Sequence, residues 1–168
     1  MYKYILSLDP SGAFEEGQGT TGWCLMSGIS KAFLDTGFIP ASSYPTPLDY
    51  WAAHTDLIGK IAKQYPIVLL VEDYLLYAHK ADSQINSRFE TCQLIGILKY
   101  YAYMHNIPIY LQRAAEVKTR WSNTILVRKE VLRAHGRSFI LNDISRPVCK
   151  HELDAIRHAM HFNTFYNK

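Results

Sequence analysis

Ile67-Val68-Leu69-Leu70-Val71-Glu72 is the stretch on which the fold turns: an unbroken apolar run, introduced by Pro66 and closed by a carboxylate. A strand that is apolar at successive positions buries both faces, which requires helices on both sides of a sheet. A second run, Tyr4-Ile5-Leu6-Ser7-Leu8-Asp9, has the same form and also ends in an acid. An ionised carboxylate at the end of a buried strand is costly unless its charge is compensated. A third acid, Asp154, falls in a predicted C-terminal helix within His151-Glu152-Leu153-Asp154. Carboxylates gathered at one sheet end are most simply explained by a hard divalent cation, which takes oxygen ligands.

The elements between these anchors follow from period and punctuation. Gly22-Trp23-Cys24-Leu25-Met26-Ser27 and Ala32 through Ile39 read as two strands joined by the turn-like Gly28-Ile29-Ser30, so three antiparallel strands are expected in succession. After Pro45 and Pro47, Leu48, Trp51, Ala52, Leu57, Ile58 and Ile61 recur at helical spacing. A polar segment from Tyr74 to Ser83 leads into a predicted helix at about 84–104, and Ile107-Pro108-Ile109-Tyr110-Leu111 reads as a fifth strand. Helices are predicted around 114–121, 126–135 and 150–165. The order predicts an α/β domain with a mixed sheet, three antiparallel strands and then two parallel ones. At 168 residues and 48% hydrophobic content the chain is expected to form one domain, spanning 1–168.

The bulk properties exclude several classes. Lys and Arg number 18 against 15 Asp and Glu, a net charge of +3 that is compatible with nucleic acid without requiring it. Cys24, Cys92 and Cys149 form no C-x-x-C pair and read as reduced thiols. No apolar run approaches the roughly 20 residues of a membrane span, and residues 1–8 lack the pattern of a signal peptide. A cytoplasmic protein with no membrane partner is expected.

Four motifs, taken together, resemble the RuvC family of Holliday-junction resolvases. Asp9-Pro10-Ser11-Gly12 followed by Thr21-Gly22-Trp23 is similar to that family's Asp-Pro-Gly and Thr-Gly-Tyr. Glu72, with Lys80-Ala81-Asp82-Ser83 downstream, is similar to its second acidic motif, and Ala115-Glu116-Val117-Lys118 to its Val-Lys segment. His151-Glu152-Leu153-Asp154-Ala155 resembles its last acidic motif. The resemblance implies an RNase H-like fold: a five-stranded mixed sheet flanked by helices. It implies a homodimeric endonuclease of DNA recombination and repair, acting with Mg2+ or Mn2+, two ions per site, on four-way junctions or related branched DNA. Asp9, Glu72, His151 and Asp154 match the catalytic, metal-holding positions. A bacterial cell is the implied setting, and the lengthened first loop favours a phage origin.

Each residue also has a plainer reading. Asp9 before Pro10 is the pattern of a turn, and His151 and Asp154 could simply open a helix whose dipole favours acids. Asp73 becomes the inward carboxylate if the strand slips by one residue. On a helix, positions 151, 154 and 158 share a face, so His151 and Asp154 can reach one cation while His158 sits a turn beyond in a structural or supporting role; Leu153, Ile156 and Met160 take the core side. For DNA, the resemblance favours Lys118 and Lys129, with an aromatic in the loop after Glu72, Tyr74 or Tyr77, placed to stack on an unpaired base. Lys80, Arg88, Arg120 and Arg128 are further candidates by proximity. The loop from Pro10 to Thr21 is longer than the family's and carries Glu15 and Glu16, whose charge would repel a phosphate unless offset.

Two other functions fit parts of the pattern. A branched-DNA-binding module of the same fold would keep the surface and lose the chemistry. Asp9 with Gly19-Thr20-Thr21-Gly22 also resembles the phosphate loop of actin-like ATPases and sugar kinases, folds that need two such domains where this chain supplies one.

Overall fold

The computed structural model describes residues 1–14, 17–74 and 89–168. The first three strands, β1 (Tyr4–Asp9), β2 (Thr20–Ser27) and β3 (Phe33–Pro40), form an antiparallel meander. Helix α1 (Pro47–Ala62) follows, started by Thr46, whose side chain accepts the Asp49 N–H, and by Pro47 in the first turn. Strand β4 (Ile67–Asp73) pairs parallel to β1, helix α2 (Glu90–Met104) crosses over, and β5 (Ile109–Arg113) pairs parallel to β4. The sheet order is β3-β2-β1-β4-β5. This is the mixed five-stranded sheet expected from the sequence.

The period-2 alternation of the strands decides what faces what. Leu6, Leu8, Ile67, Leu69 and Val71 pack with Ile58, Leu94 and Leu98, beneath α1 and α2. Ile5, Cys24, Met26, Val68 and Leu70 point the other way and pack against Leu153, Ile156, Ala159 and Phe162 of the C-terminal helix α5 (Lys150–Phe165). Continuing the alternation along each strand sends Asp9 and Glu72 to the α5 face, and Asp73 to the other.

One expectation fails. The helix expected at 126–135 is cut short: a short helix α3 (Ala114–Arg120) is followed by α4 (Asn123–Arg128), and the chain leaves the helix at Glu130 in the left-handed region (φ 58°), where the Val131 N–H returns to the Leu126 carbonyl. The chain then forms a small antiparallel sheet of β6 (Leu132–His135), β7 (Ser138–Leu141) and β8 (Arg146–Val148), turning between the first two at Gly136 (φ 59°). Leu132, Leu141 and Val148, buried under this sheet, join the core beside α5. The fifth strand also begins two residues later than expected, because Pro108 cannot donate to the ladder and instead offers its carbonyl to the Leu69 N–H. No helix of the described residues is long and apolar enough to cross a membrane.

Candidate active site

β1 and β4 lie side by side and parallel, with Leu8 opposite Val71, so Asp9 and Glu72 emerge at the same sheet end. Helix α5 reaches that end with its first turn. Its start is fixed by Cys149 and Glu152, which form a capping box in which the Glu152 carboxylate accepts the Cys149 N–H at 2.8 Å. Glu152 is itself buried, held by Arg146 and by the Thr36 hydroxyl at 3.3 Å, which ties the helix start to β3 and β8. Gly22, opposite Asp9 in the β1–β2 ladder, is where the helix touches the sheet: a Cβ there would lie 2.1 Å from the His151 backbone. The Thr-Gly motif thus lets α5 descend close enough to present His151 and Asp154 to Asp9.

The loop after Asp9 is fastened by a buried polar chain. His54 of α1 is fully buried, with Nδ1 2.8 Å from the Tyr50 carbonyl and Nε2 2.7 Å from the Thr21 hydroxyl. A carbonyl only accepts, so Nδ1 carries the proton and Nε2 accepts from Thr21. Thr21 Oγ1 in turn accepts the Ser11 N–H at 3.0 Å, and the Tyr50 hydroxyl donates to the Ser11 carbonyl at 2.6 Å. Burial pulls the His54 pKa down to about 4, which keeps the ring neutral. Gly12 is pinned beyond this, its N–H on Thr91 and its carbonyl accepting from Trp51.

Three carboxylates meet at the sheet end. Asp9 Oδ2 lies 3.4 Å from His151 Nδ1. Glu72 Oε2 lies 2.8 Å from Nε2 of His158, a fully buried ring whose Nδ1 is 3.0 Å from Gln112 Oε1 on β5. Asp154 is paired through Oδ1 with Arg157, which also reaches Asn123 Oδ1. Lys118, from α3, stands between the acids, its Nζ 3.7 Å from Glu72 Oε1 and 3.4 Å from Asp154 Oδ2.

The titration behaviour follows from this crowding. Burial raises the Asp9 pKa, and Glu72 and Asp154 raise it further against the opposing bond from His151. Glu72 is also raised by burial, but the His158 bond and the charges of His158 and Lys118 outweigh this and leave it lowered. Asp9 and Glu72 act on each other in opposite directions, Glu72 raising Asp9 and Asp9 lowering Glu72, so the two titrate as a pair. The bond to Asp9 raises His151 despite its partial burial. Burial works against the Lys118 ammonium, yet Glu72, Asp154 and Asp9 more than offset it and hold its proton firmly.

Among the described residues no set of three His, Cys, Asp or Glu side chains is already gathered as a metal cage. Lys118 stands between Glu72 and Asp154, while Arg157 and His158 each engage one oxygen of a carboxylate. The donor set nevertheless fits a hard cation, being carboxylate oxygens around a point where an ammonium now stands in as the positive charge.

The structure therefore brings Asp9, Glu72, His151 and Asp154 together at one sheet end. It turns Glu72 towards this cluster rather than Asp73, which lies near Cys92. Lys118 lies inside the acidic cluster, not only on a rim where it could meet phosphate. Lys129 is exposed, its ammonium 5.9 Å from the Trp121 ring, and Tyr74 is half-buried against the α1 and α2 side of the core. Tyr77, Lys80, Arg88, Glu15 and Glu16 fall outside the described residues. Arg157, Gln112 and His54 had no motif to mark them. The available signals were spacing, Arg157 three residues after Asp154, and a histidine at a core position of α1 between Tyr50 and Ile58.

No protein-family model matches the chain, and no curated protein matches it in sequence. Solved structures do match in shape. Thermus thermophilus RuvC in complex with a Holliday junction substrate superposes with a TM-score of 0.69 at 14% identity, over 99% of this chain and 95% of that one. A structure of Thermus thermophilus RuvC alone matches with a TM-score of 0.62 at 14% identity, over 98% and 95%. The chain has the RuvC-like form of the RNase H-like fold.

Proposed function

We propose that this chain is a metal-dependent, structure-specific DNA endonuclease that hydrolyses phosphodiesters at Holliday junctions or related branched DNA. The observation that carries the reading is the convergence of Asp9, Glu72 and Asp154 around Lys118 at one end of a RuvC-like sheet. Asp9, Glu72 and Asp154 would hold Mg2+ or Mn2+, and His151 would offer Nδ1 once its proton is lost. Such a cation supplies activation of the attacking water and relief of charge on the leaving 3′ oxygen.

The chain's own residues do the rest. The Ser11–Thr21–His54 chain fixes the backbone after Asp9, so that this carboxylate keeps its direction. His158 and Arg157 orient Glu72 and Asp154. The Lys118 ammonium offsets the repulsion between the acids and an incoming phosphate. Exposed Lys129 and Arg128 would meet the DNA backbone beyond the site, and Tyr74 would be the described candidate for stacking on an unpaired base, with Tyr77 and Lys80 candidates from the sequence alone.

Cutting two strands of a four-way junction calls for a homodimer, and α2 leaves Tyr100, Tyr103 and Met104 exposed as an apolar face. An equilibrium mass measurement tests this. Labelled four-way, forked and linear duplex DNA, incubated with and without Mg2+, tests the activity itself. Metal-dependent nicking of the branched substrates is expected. Binding without cleavage would instead make the chain a branched-DNA-binding module, and ATP turnover would point to the kinase-like alternative.

A further inference from the structure

We propose that the hairpin of β6 and β7 is a separate DNA contact, in which Arg133 and Arg137 hold the phosphates of a duplex arm beside the carboxylate cluster. The inference adds a surface to the nuclease reading above and rests on it only for the choice of DNA as the ligand.

The first support is where the hairpin stands. His135 and Ser138 pair across a two-residue turn, Gly136-Arg137. Of these two only Gly136 has a positive φ, the pattern of a type II′ turn, which matches the twist of the flanking strands and fixes Arg137 at the apex. Strand direction then places that apex. β8 runs from Arg146 to Val148 and leads straight into α5, whose first turn carries His151. β7 lies antiparallel to β8 with Phe139 opposite Val148, so the Ser138 end of β7 lies where α5 begins. The turn therefore projects at the same end of the molecule as the carboxylates. Gly136 is three residues beyond Phe139, so the apex extends about 10 Å past the Phe139–Val148 pair at roughly 3.3 Å per residue.

The second support is charge. Leu132, Leu141 and Val148 face the core, so alternation turns Arg133 and His135 outward, and residues 133–138 are all exposed. From Leu132 to Val148 the only acid is Asp143, in the connection at the far end of the small sheet, where its carboxylate accepts the Phe33 N–H. Arg146 is committed to Glu152. Among the described residues Arg133 and Arg137 have no carboxylate partner. Exposed Lys150 at the start of α5 and Arg128 and Lys129 at the end of α4 extend the positive surface on either side. Exposed arginines on a scattered face are ordinary; two unpaired guanidiniums on one tight ribbon, beside a candidate phosphodiester site, complement a phosphate backbone. Such contacts fix the position of the duplex without reading its sequence.

Affinity for a linear duplex and for a four-way junction, measured without metal as salt is varied, tests this. Each phosphate contact contributes about 0.9 to the slope of log affinity against log salt. Arg133→Ala and Arg137→Ala are each expected to flatten the slope by about 0.9 and the double variant by about 1.8, which is about 8-fold and about 60-fold in affinity at 0.1 M relative to 1 M salt. Arg137→Lys is expected to keep the slope. Lys63→Ala removes the same charge from an exposed position at the other end of the main sheet, between α1 and β4, and is expected to leave the slope unchanged. A double variant with the wild-type slope, or a slope lowered equally by Lys63→Ala, would overturn the inference, and metal-dependent cleavage by the wild type would then leave the nuclease reading standing. Flattened slopes in the arginine variants together with a wild type that never cuts would overturn only the nuclease reading.

Discussion

His54 offers a quantitative test of how the loop beneath Asp9 is held. Its ring is neutral and buried, donating to the Tyr50 carbonyl and accepting from Thr21. Burial depresses its folded-state pKa from 6.5 to about 4. As the pH falls, the unfolded chain therefore protonates His54 first, and folding stability is lost across the window from 6.5 down to about 4. A depression of this size corresponds to about 3 kcal/mol in full, of which about 2.5 kcal/mol is gone by pH 4.5. Other groups titrate in the same range, so the measurement is a difference: urea unfolding of the wild type and of His54→Gln at several pH values between 7.5 and 4.5. At pH 7.5 the wild type is expected to be more stable by roughly 2 kcal/mol, since the variant leaves buried partners imperfectly satisfied. That advantage should disappear towards pH 4.5. Parallel stability profiles for the two proteins would refute the buried, neutral assignment of His54.

Other substitutions probe how the site is assembled. Gly22→Ala places a methyl 2.1 Å from the His151 backbone, so α5 must lift from β2. A loss of about 1–3 kcal/mol in denaturant unfolding is expected, along with loss of junction cleavage. Arg146→Met strands the buried Glu152 carboxylate with only the Cys149 N–H and the Thr36 hydroxyl. That should cost roughly 2–4 kcal/mol by the same assay, and an unchanged midpoint would show that Arg146 contributes little to anchoring α5.

How much of this was legible in the sequence depended on whether a residue's role was local. The strand-ending acids stood out because carboxylates rarely follow apolar runs, and the three antiparallel strands carried their own turn residues. Helix α5 was bounded correctly, with His151, Asp154 and His158 on one face. The choice between Glu72 and Asp73 was not settled by pattern, because β4 is apolar on both faces and its alternation is silent. Only the parity of Val68 and Leu70 against α5 decides it. Of the small sheet, β6 fell within the stretch expected to be helical and β7 and β8 were assigned no element, because their apolar residues are few. The chain's exit from α4 into β6 also depends on Glu130 in a conformation that a glutamate seldom adopts. The capture of Glu72 by His158 and of Asp154 by Arg157 joins elements far apart in the chain or depends on side-chain direction, which spacing alone does not fix.

The central claim is that three carboxylates at this sheet end carry out metal-dependent cleavage of branched DNA. It is tested most directly by the rate of nicking of a labelled four-way junction by the wild type and by Asp9→Asn, with and without Mg2+, alongside junction affinity measured without metal. Mg2+-dependent nicking by the wild type, its loss in Asp9→Asn and junction affinities that agree between the two proteins are the predicted results. Nicking by Asp9→Asn at the wild-type rate, or a wild type that binds the junction and never cuts it, would contradict the account.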